Sequence, residues 1–387
     1  MKNLLEEFPA VDKATWVAKV EKDLKGKPLE DLMWHLGEDI TVAPFYHPED
    51  IDHQTTAPLL AGRRGNDWEI GEYINVYKDA KQANTALLEG LKGGVQAPLF
   101  RLFQPLDRTR LHQLLDGVAP EMVTLNFSEH YSEKQPARLM ELLQGWYQEK
   151  GVTGAQANFT IDFDPILDFA EPPVDTLSAF IQSCADQWPN VRPLQVNAKT
   201  FHSGPEQVVE ELALTMAKGA EYLARLTETG LNAEIINQHV QFGIAVSKSY
   251  FVEIAKFRAL RLLWSNILKG YGVKGKQPFV VAHFAQESQD ENPNSNMIRA
   301  STQAMSAVIG GVDRLYVLPS NRARKEPDTP FSRRVARNLQ HLLKMESHLD
   351  RVIDPGAGSY YIEKLTREIA DRAWAKFQQL DQERAFD

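Results

Sequence analysis

The sequence predicts an α/β fold, a (β/α)8 barrel carrying an N-terminal helical and extended arm, and three observations carry that reading. From about residue 94 onward, short apolar β-favouring runs alternate with longer segments of helical period, the pattern of βα units wound around a parallel sheet. Eight such runs can be counted. They and their helices occupy about 290 residues, the size and rhythm of one closed barrel. A doubly wound open sheet shares the alternation; the barrel is the favoured reading.

The strand candidates are, in order, APLFRLF (97–103), EMVTLNF (121–127), ANFTIDF (157–163), LQVNAKTF (194–201), VQFGIAV (240–246), PFVVAHF (278–284), DRLYVLP (313–319) and the shortest, RVIDP (351–355). Between them lie helices such as PEQVVEELALTMAKGAEYLARLTETG. Its residues Val208, Leu212, Leu214, Met216, Ala220, Leu223 and Leu226 mark one apolar face, closed by Gly230. YFVEIAKFRALRLLWSNILKG and IRASTQAMSAVIGG behave alike. Residues 1–93 lack the rhythm and read as an arm packed on a barrel domain of residues 94–387. The arm has a helix around Thr15 to Leu24, a Pro- and His-containing stretch from Thr41 to Arg64, the turn-rich connector GRRGNDWE and a helix from Lys78 to Leu91.

Composition narrows the function classes. The chain has 387 residues, 43% hydrophobic and 25% charged, which is soluble globular composition. Lys and Arg total 43 against 52 for Asp and Glu, a net charge of -9, so a nucleic acid is an unfavourable partner. The sole cysteine, Cys184, can neither pair within the chain nor build a thiolate cage, which suits a reducing, cytoplasmic setting. The start, MKNLLEEFPAVDKATW, has no basic segment followed by an apolar one, and no window reaches 18 uninterrupted apolar residues. Neither secretion nor a membrane is expected.

No GxxxxGK[ST], HExxH, CxxC or GxSxG occurs, so phosphate-cradling loops, zinc hydrolysis and serine esterase chemistry lack their usual footing. Asp162, Asp164 and Asp168 stand at the end of a strand candidate, where a barrel places catalytic groups and paired acids could hydrolyse a glycoside. Asp followed by Pro also makes an ordinary strand-to-loop turn, and that reading is preferred. His202 follows the fourth strand candidate and His283 falls within the sixth. The strand-end position ranks His202 above His283 as a functional histidine.

Five segments in order resemble the methylmalonyl-CoA mutase barrels: VVEELALTMAKGAEYLARLTETGLN, FVEIAKFRALRLLW, NMIRASTQAMSAVIGG, PFSRRVARNLQHLLKMES and RVIDPGAGSYYIEKLT. WVAKVEKDLKGK and LEDLMWHLGEDITVAPFYHPED resemble the family's N-terminal arm. The likeness is strong from about residue 200 and faint between 95 and 195. It implies a barrel whose axis admits the pantetheine arm of a coenzyme A ester, acting with adenosylcobalamin, whose homolysis supplies the radical that rearranges the acyl group. By resemblance, His202 is the histidine that hydrogen-bonds the thioester carbonyl, with Phe201 where active members carry tyrosine. Tyr73, in WEIGEY, matches the tyrosine that wedges against substrate. Gln340 and Glu346, in ARNLQHLLKME, match cofactor-facing positions.

Other positions depart from the family. Asn66 and Gly71 stand where it supplies two arginines for the anionic parts of the substrate, and Ile309 and Gly311 where it has glutamine and histidine. ANFTIDFDPILDF contains no match for the arginine that grips the methylmalonyl carboxylate. A buried carboxylate without its bidentate partner is destabilised by several kcal/mol. D-x-H-x-x-G, the mark of the cobalamin domain, is absent. The pattern resembles the small subunit of heterodimeric mutases, which binds no cofactor and partners a catalytic large subunit. The expectation is therefore a non-catalytic barrel, adenosylcobalamin belonging to the assembled enzyme. The alternatives are a catalytic barrel of another acyl-CoA mutase served by a separate cobalamin-binding chain, and a non-enzymatic acyl-CoA-binding or scaffold protein; self-association is the alternative to the large-subunit partner.

Overall fold

The computed structural model describes residues 11–37, 40–51, 63, 65–324 and 327–386. Residues 52–62 and 64 of the Pro- and His-containing stretch, and the first ten residues, lie outside them. The arm opens with α1 (Lys13–Leu24), capped by Asp12, whose carboxylate accepts from the Thr15 backbone N–H. A two-stranded antiparallel ribbon follows, β1 (Trp34–Leu36) and β2 (Ile40–Val42).

Eight parallel strands then form one sheet: β3 (Glu69–Val76), β4 (Ala97–Leu102), β5 (Leu125–Glu129), β6 (Phe159–Ile161), β7 (Leu194–Asn197), β8 (Val240–Val246), β9 (Val280–Phe284) and β10 (Arg314–Tyr316). Their order is β6-β5-β4-β3-β10-β9-β8-β7. The ends of that order meet: Thr160 bridges Arg192, the Ile161 N–H donates to the Arg192 carbonyl at 3.0 Å, and the Gln195 N–H donates to the Phe163 carbonyl at 3.0 Å. The sheet is a closed barrel, as expected for the (β/α)8 fold.

Around it run α2 (Ala80–Lys92), α3 (Arg108–Leu114), α4 (Pro136–Glu149), the single turn α5 (Pro165–Asp168), α6 (Val174–Gln187), α7 (Val208–Glu228), α8 (Ala233–His239), α9 (Tyr250–Gly270), α10 (Pro293–Ile309) and α11 (Pro330–Met345). The final helix, α12 (Tyr360–Gln382), crosses α7 and α9, and the arm docks on it through β2 and the Tyr46–Tyr361 ring pair at 5.7 Å. The apolar stripe expected on α7 is buried at Val208, Leu212, Met216, Leu223 and Leu226. Among the described residues no helix is long and apolar enough to cross a membrane.

The strand count agrees with expectation, and its membership needs two corrections. The run 351–355 is not a strand: it is a chain of turns in which Asp354 takes a left-handed φ of 51° and accepts from the buried Arg258. The position beside β10 is taken by β3, which falls in the segment assigned to the arm. Fully covered parallel strands are usually continuous apolar runs. EIGEYINV instead alternates with polar residues: Glu69 points into the lumen toward Arg314, and Glu72 points outward to Arg333 and Arg337 of α11. The barrel sheet thus begins at Glu69.

Candidate functional site at the barrel mouth

Because all eight strands are parallel, their carboxyl ends share one rim, and each supplies a residue to a cavity of about 380 Å³. Tyr73, Arg101, Ser128, Asp162, Asn197, Ala245, His283 and Leu318 come from the strands or the residue or two beyond them. Lys199, His202, Glu287 and Arg322, from the loops above, complete the wall. Tyr73 and His202, paired only by resemblance in the sequence, open onto this one cavity, and His283, ranked below His202, joins them.

His202 lies between two carboxylates. Its Nδ1–H donates to Glu211 at 2.8 Å; its Nε2 lies 2.8 Å from Glu287, an ion-pair contact whose angle is not that of a hydrogen bond. Burial works against charge on this ring, and the hydrogen bond and charge of Glu211 overcome it, raising the pKa above the usual histidine value. Glu211 also accepts from Lys256 at 3.1 Å, and Lys256 pairs with Glu253 at 2.8 Å, all of them buried.

Tyr73 and His283 form the floor. The Tyr73 hydroxyl is 2.9 Å from His283 Nδ1, and Tyr316 stacks beneath both, at 5.2 Å from Tyr73 and 4.9 Å from His283. Burial raises the Tyr73 pKa and, with the charges of Lys199, Arg314 and Arg101, drives that of His283 well below 6.5, so His283 is neutral at pH 7. Its Nε2 has no hydrogen-bond partner among the described residues.

On the opposite wall Ser128 Oγ donates to Asp162 at 2.8 Å and lies 3.1 Å from His130 Nε2. Burial, then Arg101, pulls His130 down to about 4. The acid here accepts the serine's hydrogen bond and does not orient the histidine, so the trio lacks the relay of a nucleophilic triad. Asp164 is turned away from the cavity into a buried cluster with Lys218 (2.6 Å) and Tyr222, and Asp168 pairs with Lys134. These two carboxylates serve packing. Among the described residues no three His, Cys, Asp or Glu side chains cluster to hold a metal.

Below the floor the axis is filled. Arg314 spans it, bonded to Glu69, Asn126 and Gln241; Gln241 donates to Gln195 at 2.8 Å, and Thr160 donates to Asn126 at 2.6 Å. Arg192 and Arg314 lie over the Phe279 ring at 4.0 and 5.1 Å. Tyr316 fills the next layer, and a Cβ placed on Gly71 would come within 2.5 Å of its ring. Only glycine leaves room there. Asn66, the other position that lacks a family arginine, is buried and donates to the Val308 carbonyl (2.7 Å) and the Leu349 carbonyl (3.1 Å). Ile309 ends α10, and Gly311 supplies the left-handed turn behind it at φ 83°.

Gln340 and Glu346 do not join the mouth. Gln340 is buried on α11, donating its amide to the Gly71 carbonyl at 3.2 Å. Glu346 is exposed at the end of that helix. Two residues earlier, Lys344 bonds to Asp67, just before β3, so Glu346 sits at the amino ends of the strands. Reasoning from sequence passed over Arg101, Lys199 and Arg322. Arg101 had left a signal: a lone charge in APLFRLF, two residues from Leu99 and therefore on the same, inward face.

The profile of the methylmalonyl-CoA mutase family matches residues 109–384. The chain is similar to the methylmalonyl-CoA mutase small subunit of Porphyromonas gingivalis, 34% identical over 97% of the chain, and to that of Propionibacterium freudenreichii subsp. shermanii, 30% identical over 98%. It spans 63% of the length of each of these two relatives. It is also similar to the mutase large subunit of Streptomyces virginiae, 26% identical over 96% of the chain and 57% of that protein.

Proposed function

The chain belongs to the methylmalonyl-CoA mutase family, and from that membership we propose that it is the barrel of a small, non-catalytic mutase subunit, supporting a homologous catalytic chain in the adenosylcobalamin-dependent interconversion of methylmalonyl-CoA and succinyl-CoA. The observation that carries this reading is the filled lumen. A pantetheine arm threaded along the axis would have to displace the Arg314–Glu69–Asn126 network and the Tyr316 ring. Stripping the wholly enclosed Arg314 of its partners is unfavourable by several kcal/mol, which an incoming arm would have to offset. The same obstacle weighs against a catalytic barrel served by a separate cobalamin chain, and against an acyl-CoA scaffold that binds along the axis.

The residues at the cofactor-facing positions do not fit adenosylcobalamin. Gln340 is committed to the Gly71 carbonyl and Glu346 lies at the other end of the barrel, so the pair forms no cradle over the mouth. In this reading the cofactor belongs to the catalytic partner. Tyr73 and His202 keep their family side chains and are tied to His283 and to Glu211. A cytoplasmic site fits the single buried, unpaired Cys184.

Co-expression with a homologous full-length catalytic mutase chain tests the proposal. The two should elute together, and this chain alone should not turn over methylmalonyl-CoA. Turnover restored by adding only an isolated cobalamin-binding protein would overturn the reading in favour of a catalytic barrel.

A further inference from the structure

Carboxylates match cations in number around the mouth, but they leave Arg101 without an ion-pair partner among the described residues. Lys199 has Asp162 at 3.9 Å, and His202 has Glu211 and Glu287. Arg322 lies 3.1 Å from Asp328, yet its Nε and Nη2 are buried without a hydrogen bond among the described residues. Arg101 has neither an ion pair nor a hydrogen bond among the described residues and faces only the rings of Tyr73 at 6.0 Å and Phe103 at 5.6 Å. At such distances a ring quadrupole compensates little of a full charge.

The cationic heads also feel one another. Burial and then the charge of Arg322 lower the Arg101 pKa; burial lowers that of Lys199, where Asp162 opposes and Arg101 adds to the fall. Like charges brought together in a partly dehydrated cavity are unfavourable unless an anion joins them. His130 and His283 stay neutral and add hydrogen-bonding groups rather than further charge. His283, a residue only 4% exposed, lines this cavity, and its buried Nε2 has no hydrogen-bond partner among the described residues.

We propose that the barrel mouth binds a tetrahedral oxyanion, inorganic phosphate or the phosphoryl group of a small phosphomonoester, held by Arg101, Arg322 and Lys199. The three donors arrive from separate sides of the ring: β4, the turn after β7 and the loop after β10. A planar carboxylate is satisfied by one coplanar guanidinium fork, whereas donors converging from three directions match a tetrahedral group. The cavity's 380 Å³ leaves room for the organic part of an ester beside Thr200 and Phe284. The site depends on neither a cofactor nor an open axis, so it stands or falls apart from the proposed subunit role.

Isothermal calorimetry and phosphorus NMR on the purified chain at low salt test it, with inorganic phosphate, glycerol 3-phosphate and acetate as probes. Phosphate should bind saturably with a Kd on the order of 1 mM or tighter, and acetate more weakly. Tighter binding of glycerol 3-phosphate would identify the ester as the better source of the group. R101Q and R322Q should each weaken phosphate at least about tenfold, and R101K should keep part of the affinity because it retains the charge without the fork. Absence of saturable phosphate binding up to about 10 mM, acetate binding as tightly as phosphate, or R322Q and R101K both indistinguishable from the parent would each overturn the proposal. Those outcomes can be read even if R101Q fails to fold.

Discussion

The lumen and the mouth of this barrel are both polar, and they handle charge in opposite ways. In the lumen, Arg314 is wholly enclosed yet fully engaged, its guanidinium shared among Glu69, Asn126 and Gln241. Burial lowers its pKa, but the Glu69 charge, Tyr316 and the hydrogen bond to Glu69 together more than offset that and the value is raised. At the mouth, Arg101 of β4 is less enclosed and has no such partner among the described residues, and its pKa falls. The first arrangement is complete without a ligand; the second is not. A polar residue inside a barrel therefore says little about function until its pairing is known.

The largest expected effect lies in the lumen. R314M leaves the buried Asn126 and Gln241 facing an apolar side chain and strips the partly exposed Glu69 of its partner, a loss expected near the low end for a broken enclosed pair, about 3 kcal/mol. Urea denaturation should record that loss, and E69Q combined with R314M should recover part of it; a change under about 1 kcal/mol would mean that Arg314 is not a tie that holds the axis closed. Next comes G71A. The added methyl meets the Tyr316 ring at 2.5 Å and the Leu315 carbonyl at 2.7 Å, an overpacking expected to remove about 1–3 kcal/mol. In a double-mutant cycle with Y316A the two losses should add to less than their sum. Additive losses would place the ring elsewhere.

Those two sites show what was legible. The repeating βα rhythm reported the architecture and seven of the eight strands, because those strands carry apolar runs between amphipathic helices. β3 escaped since its lumen-facing Glu69 and its outward Glu72 find partners only in Arg314 of β10 and in Arg333 and Arg337 of α11, more than 200 residues away. RVIDP has the composition of a strand, but its Asp354 is drawn into a left-handed turn by the buried Arg258. At the mouth, Tyr73 and His202 could be named because family resemblance singles out side chains one at a time. Arg101, Lys199 and Arg322 could not, because convergence from separate strands is a property of the closed ring.

A subtler contrast is set by pH. His202 has a folded pKa raised above 6.5, so its pairing with Glu211 stabilises fully below about pH 6.5 and that contribution is lost as pH rises through the folded value. His283 is depressed instead: the unfolded chain takes up a proton that the folded ring refuses, and stability is lost as pH falls below 6.5. Each pKa unit between folded and unfolded states corresponds to about 1.4 kcal/mol. Chemical denaturation from pH 5 to 9 should thus show H202Q losing most at the acidic end, while H283Q becomes less acid-sensitive than the parent. The same pH slope in both variants would contradict the opposed environments.

The smallest effect is expected where the charge is least supported. R101Q removes a guanidinium that holds no ion pair and no hydrogen bond among the described residues, so in phosphate-free buffer its unfolding free energy should stay within about 0.5 kcal/mol of the parent. Relief of repulsion with Arg322 and Lys199 acts in the stabilising direction and loss of the ring contacts in the other. Set beside R314M, the pair contrasts an enclosed, paired arginine of β10 with a more open, unpaired one of β4, the strands that flank β3. A loss in R101Q approaching that in R314M would show that the mouth arginine is a structural tie like the one below it, and the distinction between the two regions would collapse.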